Sequence, residues 1–124
     1  MGLYDWDNLT AGELTELYTR KVAFGEEVVV VRAEMKAGES TRPHSHRNEE
    51  VIVVLKGAWR FLMSEGDVVL TDTQVLCIPA GVRHASEVLE DVVALHIFAP
   101  ARDDWSAGVD QSLSNDPDQF LWAI

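Results

Sequence analysis

Two histidines one residue apart open the segment HSHRNEEVIVVLKG, which covers residues 44–57. In an extended chain, the side chains of His44 and His46 project on the same side of the backbone. Glu50 has the same parity, and His84 joins this group if the turn PAGVRH brings a neighbouring strand back to the same cavity. Three neutral imidazoles and one carboxylate suit Fe(II), Mn(II), Ni(II), Zn(II) or Co(II), with further positions open for substrate or dioxygen. The sequence therefore predicts one divalent transition-metal ion.

The chain that must position these ligands has the pattern of one all-β domain. Its 124 residues suit a single compact unit. Between residues 20 and 100, short β-rich runs alternate with turn residues at a spacing typical of an antiparallel sandwich or barrel. The segment TAGE at residues 10–13 has the form of a capping box and predicts a short helix near residues 11–18. We expect a barrel core over residues 20–100 and a tail over residues 101–124 that wraps the surface.

Charge and composition limit the partners. The net charge is −11, so nucleic acid and an anionic membrane surface would repel the chain at long range. No stretch of about 18 apolar residues predicts a membrane span, and the first residues lack the pattern of a signal peptide. Cys77 is the one cysteine, which fits a reducing compartment. We expect a cytoplasmic protein in which Cys77 packs in the core.

The wider spacing around the histidines resembles a known family. Two glycines, two histidines and a glutamate reproduce the first motif of the cupin family: Gly38, His44, His46, Glu50 and Gly57. The segment PAGVRH at residues 79–84 matches the core of the second motif, which supplies the third histidine, His84. The resemblance implies a double-stranded β-helix, or jelly-roll barrel, with the metal inside it. This chain departs from the second motif at two places. Thr73-Gln74 stands where the family usually has Gly-Asp, and the family usually has an asparagine near the position of Val88. Neither position is a metal ligand in the family, so these departures concern the geometry of the turns and leave the ligand set unchanged.

The last strand of the barrel and the residues after it resemble one subgroup of the family. The segment VLEDVVALHIFAPARDDWSAG is similar to small bacterial cupins of pectin degradation, which convert unsaturated uronates to their linear keto form. Those relatives carry an acidic residue where this chain has His96, and the acid is thought to act on the substrate. The resemblance therefore implies that His96 carries a proton in the reaction, or that the reaction differs. The alternative is an ordinary core histidine in a strand.

Arginines and aromatic residues are the candidate substrate contacts. Arg83 adjoins a ligand and Arg102 follows the last strand, and either could hold a substrate carboxylate through two hydrogen bonds. In the strand AWRFLM, alternation directs either Arg60 or the pair Trp59 and Phe61 toward the cavity, and the sequence leaves that choice open. Glu49, of opposite parity to Glu50, would lie outside the barrel.

Three functions remain open at this level. The first is a metal-dependent enzyme that acts on a small oxygen-rich metabolite by isomerase or lyase chemistry, with the metal as Lewis acid. The second is an Fe(II) dioxygenase, and the third is a metal-stabilised module that binds a small molecule without turnover. Residues 28–31 and 51–55 are apolar on both faces, which favours a second subunit that covers the barrel in a homodimer. The alternative is that the chain's own N-terminal segment covers them.

Overall fold

The computed structural model describes residues 1–101, which form an almost entirely β structure. A single 3-10 turn, Trp6–Asn8, is the one helical element of this part of the chain, which contains no helix long and apolar enough to cross a membrane. Residues 1–101 contain eight strands: β1 (Gly12–Thr15), β2 (Tyr18–Phe24), β3 (Val29–Met35), β4 (Ser40–His44), β5 (Glu49–Met63), β6 (Gly66–Leu70), β7 (Val75–Ile78) and β8 (His84–Ala99).

All strand pairs are antiparallel, in the order β1-β2-β3-β8-β5-β6, with β4 also on β8 and β7 also on β5. The two long strands, β5 and β8, pair from Glu49 opposite Ala99 to Met63 opposite His84. The first half of β5 pairs with β7 and its second half with β6, and β8 pairs first with β4 and then with β3. Each of the two long strands therefore crosses from one wall of the barrel to the other. This topology confirms the predicted all-β jelly-roll architecture.

β5 changes walls at Gly57, where the register with β8 shifts. The φ angle of Gly57 is +96°, in the region that side-chain-bearing residues rarely adopt. A Cβ atom at this position would overlap the carbonyl oxygen of Asp91 and lie 2.8 Å from its carbonyl carbon. Only glycine lets the two backbones approach this closely, and the bend in β5 depends on that approach.

The interior contains the alternating side chains of both walls, and it decides the orientation of the strand AWRFLM. Trp59 and Phe61 are buried at 3% and 2% exposure and belong to the main hydrophobic cluster. Arg60 lies on the opposite face of β5, where its Nη1 donates to Glu87 Oε1 at 3.0 Å. The aromatic pair therefore faces the interior, and Arg60 faces outward.

The predicted helix over residues 11–18 is wrong. Residues 12–15 form β1, which pairs with β2, and the helical turn of this region lies earlier, at Trp6–Asn8. A helix here would contain Gly12, which costs about 1 kcal/mol relative to alanine. Pairing with β2 supplies the hydrogen bonds of a hairpin, which a capping motif of four residues does not reveal.

The prediction that Cys77 packs in the core is also wrong. Cys77 is exposed on β7, and its neighbour Ile78 occupies the buried position at 1% exposure. Successive strand residues point to opposite faces, so the burial of Ile78 directs Cys77 outward.

The outer face of β5 and β7 is apolar, as the continuous hydrophobic runs indicate. Val53 is directly opposite Val75, which is 60% exposed, and Leu55 is 49% exposed. A covering second subunit stays a prediction, which the mass of the protein in solution would check. The predicted tail and Arg102 lie outside the described residues.

Candidate metal centre

Three histidines from three parts of the chain meet inside the barrel. His44 ends β4, His84 begins β8 directly opposite it, and His46 lies in the loop between β4 and β5. All three are buried, and their candidate ligand atoms lie within 4.8 Å of one another. The structure thus brings together the three histidines that the two motifs contain.

Backbone carbonyls fix the orientation of all three rings. Each Nδ1 lies at hydrogen-bond distance from a carbonyl two residues away: His44 to Arg42 at 2.6 Å, His46 to Asn48 at 2.9 Å and His84 to Val82 at 2.9 Å. Because a carbonyl oxygen can only accept, each Nδ1 carries the proton and each Nε2 keeps its lone pair. Metal-binding histidines are commonly held by this kind of hydrogen bond.

Glu50 adjoins the histidine cluster through one carboxylate oxygen. Its Oε1 lies 3.4 Å from His46 Nε2 and 3.5 Å from His84 Nε2. All of these atoms are acceptors in the tautomer that the carbonyls impose, and His46 Nε2 is buried without a hydrogen-bond partner within residues 1–101. Acceptors that converge in a dry interior repel one another unless a cation lies between them. The donor set therefore fits a divalent metal ion held by nitrogen and oxygen.

The ionisation states of the site also suit a cation. Burial raises the pKa of the Glu50 carboxyl, but its contacts with His46, His84 and His96 outweigh burial and hold this pKa well below its usual range. Burial, reinforced by His84, lowers the pKa of His44 to about 4. At neutral pH the site presents a carboxylate and a neutral imidazole, as metal binding requires.

His96 lies beside this cluster on the interior face of β8. Its Nδ1 donates to Glu50 Oε2 at 3.0 Å, so Nε2 carries the lone pair. Nε2 is buried and has no hydrogen-bond partner among the described residues. The ring is tilted against Trp59, with centroids 4.9 Å apart. The geometry leaves one basic nitrogen facing the apolar interior.

The residues predicted to contact the substrate lie at different places relative to the histidine cluster. Trp59 lies against His96 in the interior, and Phe61 packs on Trp59 with ring centroids 4.6 Å apart. Arg83 is exposed and lines a cavity of about 310 Å³ that also contacts His84. Glu49 is exposed, as its parity indicates. The substrate-binding roles of these residues stay predictions.

Asn48 is a residue of this site that the sequence did not single out. It is 4% exposed, its carbonyl accepts from His46, and its side-chain Nδ2 donates to the carbonyl of Pro100. Asn48 thus connects the loop that carries the candidate ligand His46 to the end of β8. The position of Asn48 between His46 and Glu50 in the sequence could have indicated a role in the site, but a polar loop residue is usually solvated.

Loss of the Asn48 side chain is expected to weaken metal binding. In Asn48→Ala the loop is no longer held by Pro100, so the carbonyl that orients His46 becomes mobile. We expect the dissociation constant of the metal to rise about 10- to 100-fold, the range for residues that orient ligands. Competition with a chromophoric chelator measures it. Glu49→Gln, an exposed neighbour, is the control, and equal affinity in all three proteins would contradict the role of Asn48.

The fold and the histidine site agree with the comparison to known proteins. A model of the cupin domain matches residues 31–98, and the chain belongs to the cupin family. Similar solved structures include KdgF from Halomonas sp., with 21% identity, a TM-score of 0.77, and coverage of 84% of this chain and 99% of that one. An RmlC-like cupin from Shewanella frigidimarina NCIMB 400 has 21% identity and a TM-score of 0.78, over 85% and 96% of the two chains.

Ectoine synthase from P. lautus shares the fold as well, at 12% identity and a TM-score of 0.75, over 87% of this chain and 84% of that one. No curated protein matches the sequence. At these identities the likeness to solved structures establishes the fold, and the chemistry must be argued from the site itself.

Proposed function

We propose that the protein is a metal-dependent enzyme that acts on a small, oxygen-rich metabolite by isomerase or lyase chemistry. The observation that carries this proposal is the position of His96. One carboxylate, Glu50, contacts the histidine cluster through Oε1 and accepts from His96 through Oε2. A group that can accept a proton therefore lies beside a site suited to a Lewis acid, which is the combination that proton-transfer reactions of carbonyl compounds use.

Each residue has a distinct part in this proposal. His44, His46, His84 and Glu50 would hold the metal, which when bound would polarise a carbonyl or enol oxygen of the substrate. His96 would accept the substrate proton at Nε2 and return it, while Glu50 holds the protonated Nδ1 in place. Trp59, with Phe61 packed against it, would keep water away from His96, which strengthens electrostatic interactions in the interior.

The proposed substrate class is an unsaturated uronate. The support is the sequence likeness of the barrel end to the pectin-degradation cupins, together with the cavity beside His84, whose rim carries Arg83. A guanidinium at that position could bind a carboxylate with two hydrogen bonds. Because His96 replaces the acidic residue of those relatives, the proton donor and acceptor would be an imidazole here.

The test is a variant that removes only the basic nitrogen of His96. In His96→Asn, the side-chain amide can still donate to Glu50 in place of Nδ1, but nothing replaces Nε2. We expect metal content to be unchanged and turnover of an unsaturated uronate to fall about 100-fold or more, the usual contribution of a positioned acid or base. Loss of the substrate's conjugated absorbance measures turnover, and Glu34→Gln on the outer face is the control.

The outcomes separate the candidate functions. Full activity in His96→Asn would remove His96 from the mechanism. A wild-type protein that holds iron and consumes oxygen with catechol-like or diketone substrates would favour the dioxygenase, because the three-histidine site also suits Fe(II). A metal-loaded protein that binds sugars or small acids without turnover would be a binding module.

A further inference from the structure

Three buried side-chain nitrogens have no hydrogen-bond partner among residues 1–101: His46 Nε2, Trp59 Nε1 and His96 Nε2. A metal ion would account for the first, and the proposed proton transfer for the third. Neither accounts for Trp59 Nε1, because an indole N–H can only donate. A buried donor without an acceptor has given up its hydrogen bond to water, so such groups are rare in native proteins. The free N–H therefore indicates that a bound molecule supplies an acceptor.

Trp59 and His96 meet across the interior of the barrel. Trp59 lies on the half of β5 that pairs with β6, where it is opposite Leu70. His96 lies on the half of β8 that pairs with β3, where it is opposite Val31. The two rings thus come from different walls, and their centroids are 4.9 Å apart with the planes at 58°. Both nitrogens are ring atoms, so this separation keeps them within the span of one small ligand.

The two nitrogens have complementary hydrogen-bonding roles. His96 Nδ1 donates to Glu50 Oε2, so His96 Nε2 can only accept, whereas Trp59 Nε1 can only donate. A hydroxyl group meets both needs through one oxygen atom, since its O–H donates and its oxygen accepts. A carboxylate or a carbonyl only accepts, and an ammonium group only donates. The pair therefore favours a ligand that carries hydroxyl groups.

An N–H···π contact is the alternative within the protein. The Trp59 ring is tilted against Phe61 at 4.6 Å and against His96 at 4.9 Å, so its N–H could face an aromatic ring. Such contacts are weak compared with an ordinary hydrogen bond. This alternative also leaves His96 Nε2 without a donor, whereas a bound hydroxyl satisfies both nitrogens.

We propose that Trp59 Nε1 and His96 Nε2 together bind one hydroxyl group of the substrate; this assignment rests on the proposed function. The hydroxyl donates to His96 Nε2 and accepts from Trp59 Nε1. A uronate belongs to the class of ligand required, because it carries several hydroxyl groups besides its carboxylate. Trp59 would then determine which part of the substrate meets the basic nitrogen of His96.

The indole N–H signals in a nitrogen–proton correlation spectrum test this contact directly. The chain has four tryptophans, and the Trp59 signal is the one that disappears in Trp59→Phe. The protein is loaded with Zn(II), which has a filled d shell and leaves the spectrum sharp. We expect galacturonate, a saturated uronate, to move the Trp59 signal downfield, as a new hydrogen bond does. Tetrahydropyran carboxylate has the ring and the carboxylate but no hydroxyl, and we expect it to leave the signal in place.

Calorimetry on the metal-loaded variants measures what the contact contributes to affinity. Trp59→Phe keeps an aromatic ring and removes the donor, so affinity for galacturonate is expected to fall about 3- to 10-fold, as for one neutral hydrogen bond. Affinity for tetrahydropyran carboxylate is expected to stay unchanged. Trp6→Phe, the same substitution in the 3-10 turn, is the matched control. Because one hydroxyl contacts both residues, Trp59→Phe combined with His96→Asn should weaken binding by less than the product of the two single effects.

Metal content and thermal unfolding are measured on every variant, so a general loss of structure is recognised. If Trp59→Phe does not fold, the Trp59 signal is the one that persists when each other tryptophan is replaced by phenylalanine, and its shift decides the question.

The outcomes separate this assignment from the proposed function. A Trp59 signal that stays in place while galacturonate binds would overturn the shared hydroxyl and leave the proposed function standing. A shifted signal in a protein that does not turn over an unsaturated uronate would contradict the proposed function and leave the hydroxyl site standing. A metal-loaded wild type that binds no galacturonate would overturn the substrate class, and this assignment with it.

Discussion

The purified His46→Ala variant is expected to contain no metal and to have no measurable turnover. His46 is 1% exposed, its ring is oriented by the carbonyl of Asn48, and its Nε2 faces Glu50 and the other two histidines. Removal of this nitrogen deletes a candidate ligand, and alanine supplies no replacement. The loss of affinity should exceed the roughly 10- to 100-fold effect of residues that only orient a ligand.

Elemental analysis of tag-free protein, purified without added metal or chelator, gives the stoichiometry per chain. His96→Asn is the matched control, since it alters another buried histidine of the same interior and is expected to keep its metal. A circular dichroism spectrum establishes that both variants are folded. One metal ion per chain in His46→Ala would remove His46 from the site and contradict the proposed ligand set.

Gly57→Ala is expected to destabilise the fold severely, by about 4 kcal/mol or more, a size reached only through specific mechanisms such as steric overlap and backbone strain. Two costs combine at this position. A φ of +96° costs a non-glycine residue roughly 1–3 kcal/mol. The new Cβ would also overlap the Asp91 carbonyl, and both β5 and β8 would have to move apart at the bend.

Gly38→Ala is the matched control, because Gly38 has the same φ of +96° but no backbone near its missing Cβ. Its nearest neighbour there is a side-chain atom of Leu17 at 4.0 Å. We expect Gly38→Ala to lose only the backbone cost. Urea unfolding of both variants gives the two free energies, and equal values would show that the approach of Asp91 contributes nothing.

The spacing of residues predicted those parts of the site that depend on local geometry. The pair His44 and His46, the turn before His84 and the parity of Glu49 all follow from short stretches of extended chain. The all-β fold likewise follows from strands and turns that repeat along the sequence. These features depend on contacts between residues close in sequence, and they need no knowledge of which strands pair.

The remaining features depend on which strands pair and in what register. Strand alternation allowed either Arg60 or Trp59 to face inward, and the choice was made by the contacts of β5 with β6 and β8. The sequence did not single out Arg20, which is buried and lies opposite Ala33 in the sheet. The first residues of β1 had a local helix signal, which pairing with β2 overrode.

The antiparallel ladder between β5 and β8 also bears on how the chain folds. Glu49 pairs with Ala99, and His44 pairs with His84, so contacts that build the centre join residues 40 or more positions apart. Such contacts form only after long loops have closed, and proteins dominated by them fold on the millisecond-to-second scale. The three imidazoles consequently meet only when β4 reaches β8. The candidate metal centre is therefore a product of barrel closure, and an extended nascent chain cannot yet assemble it.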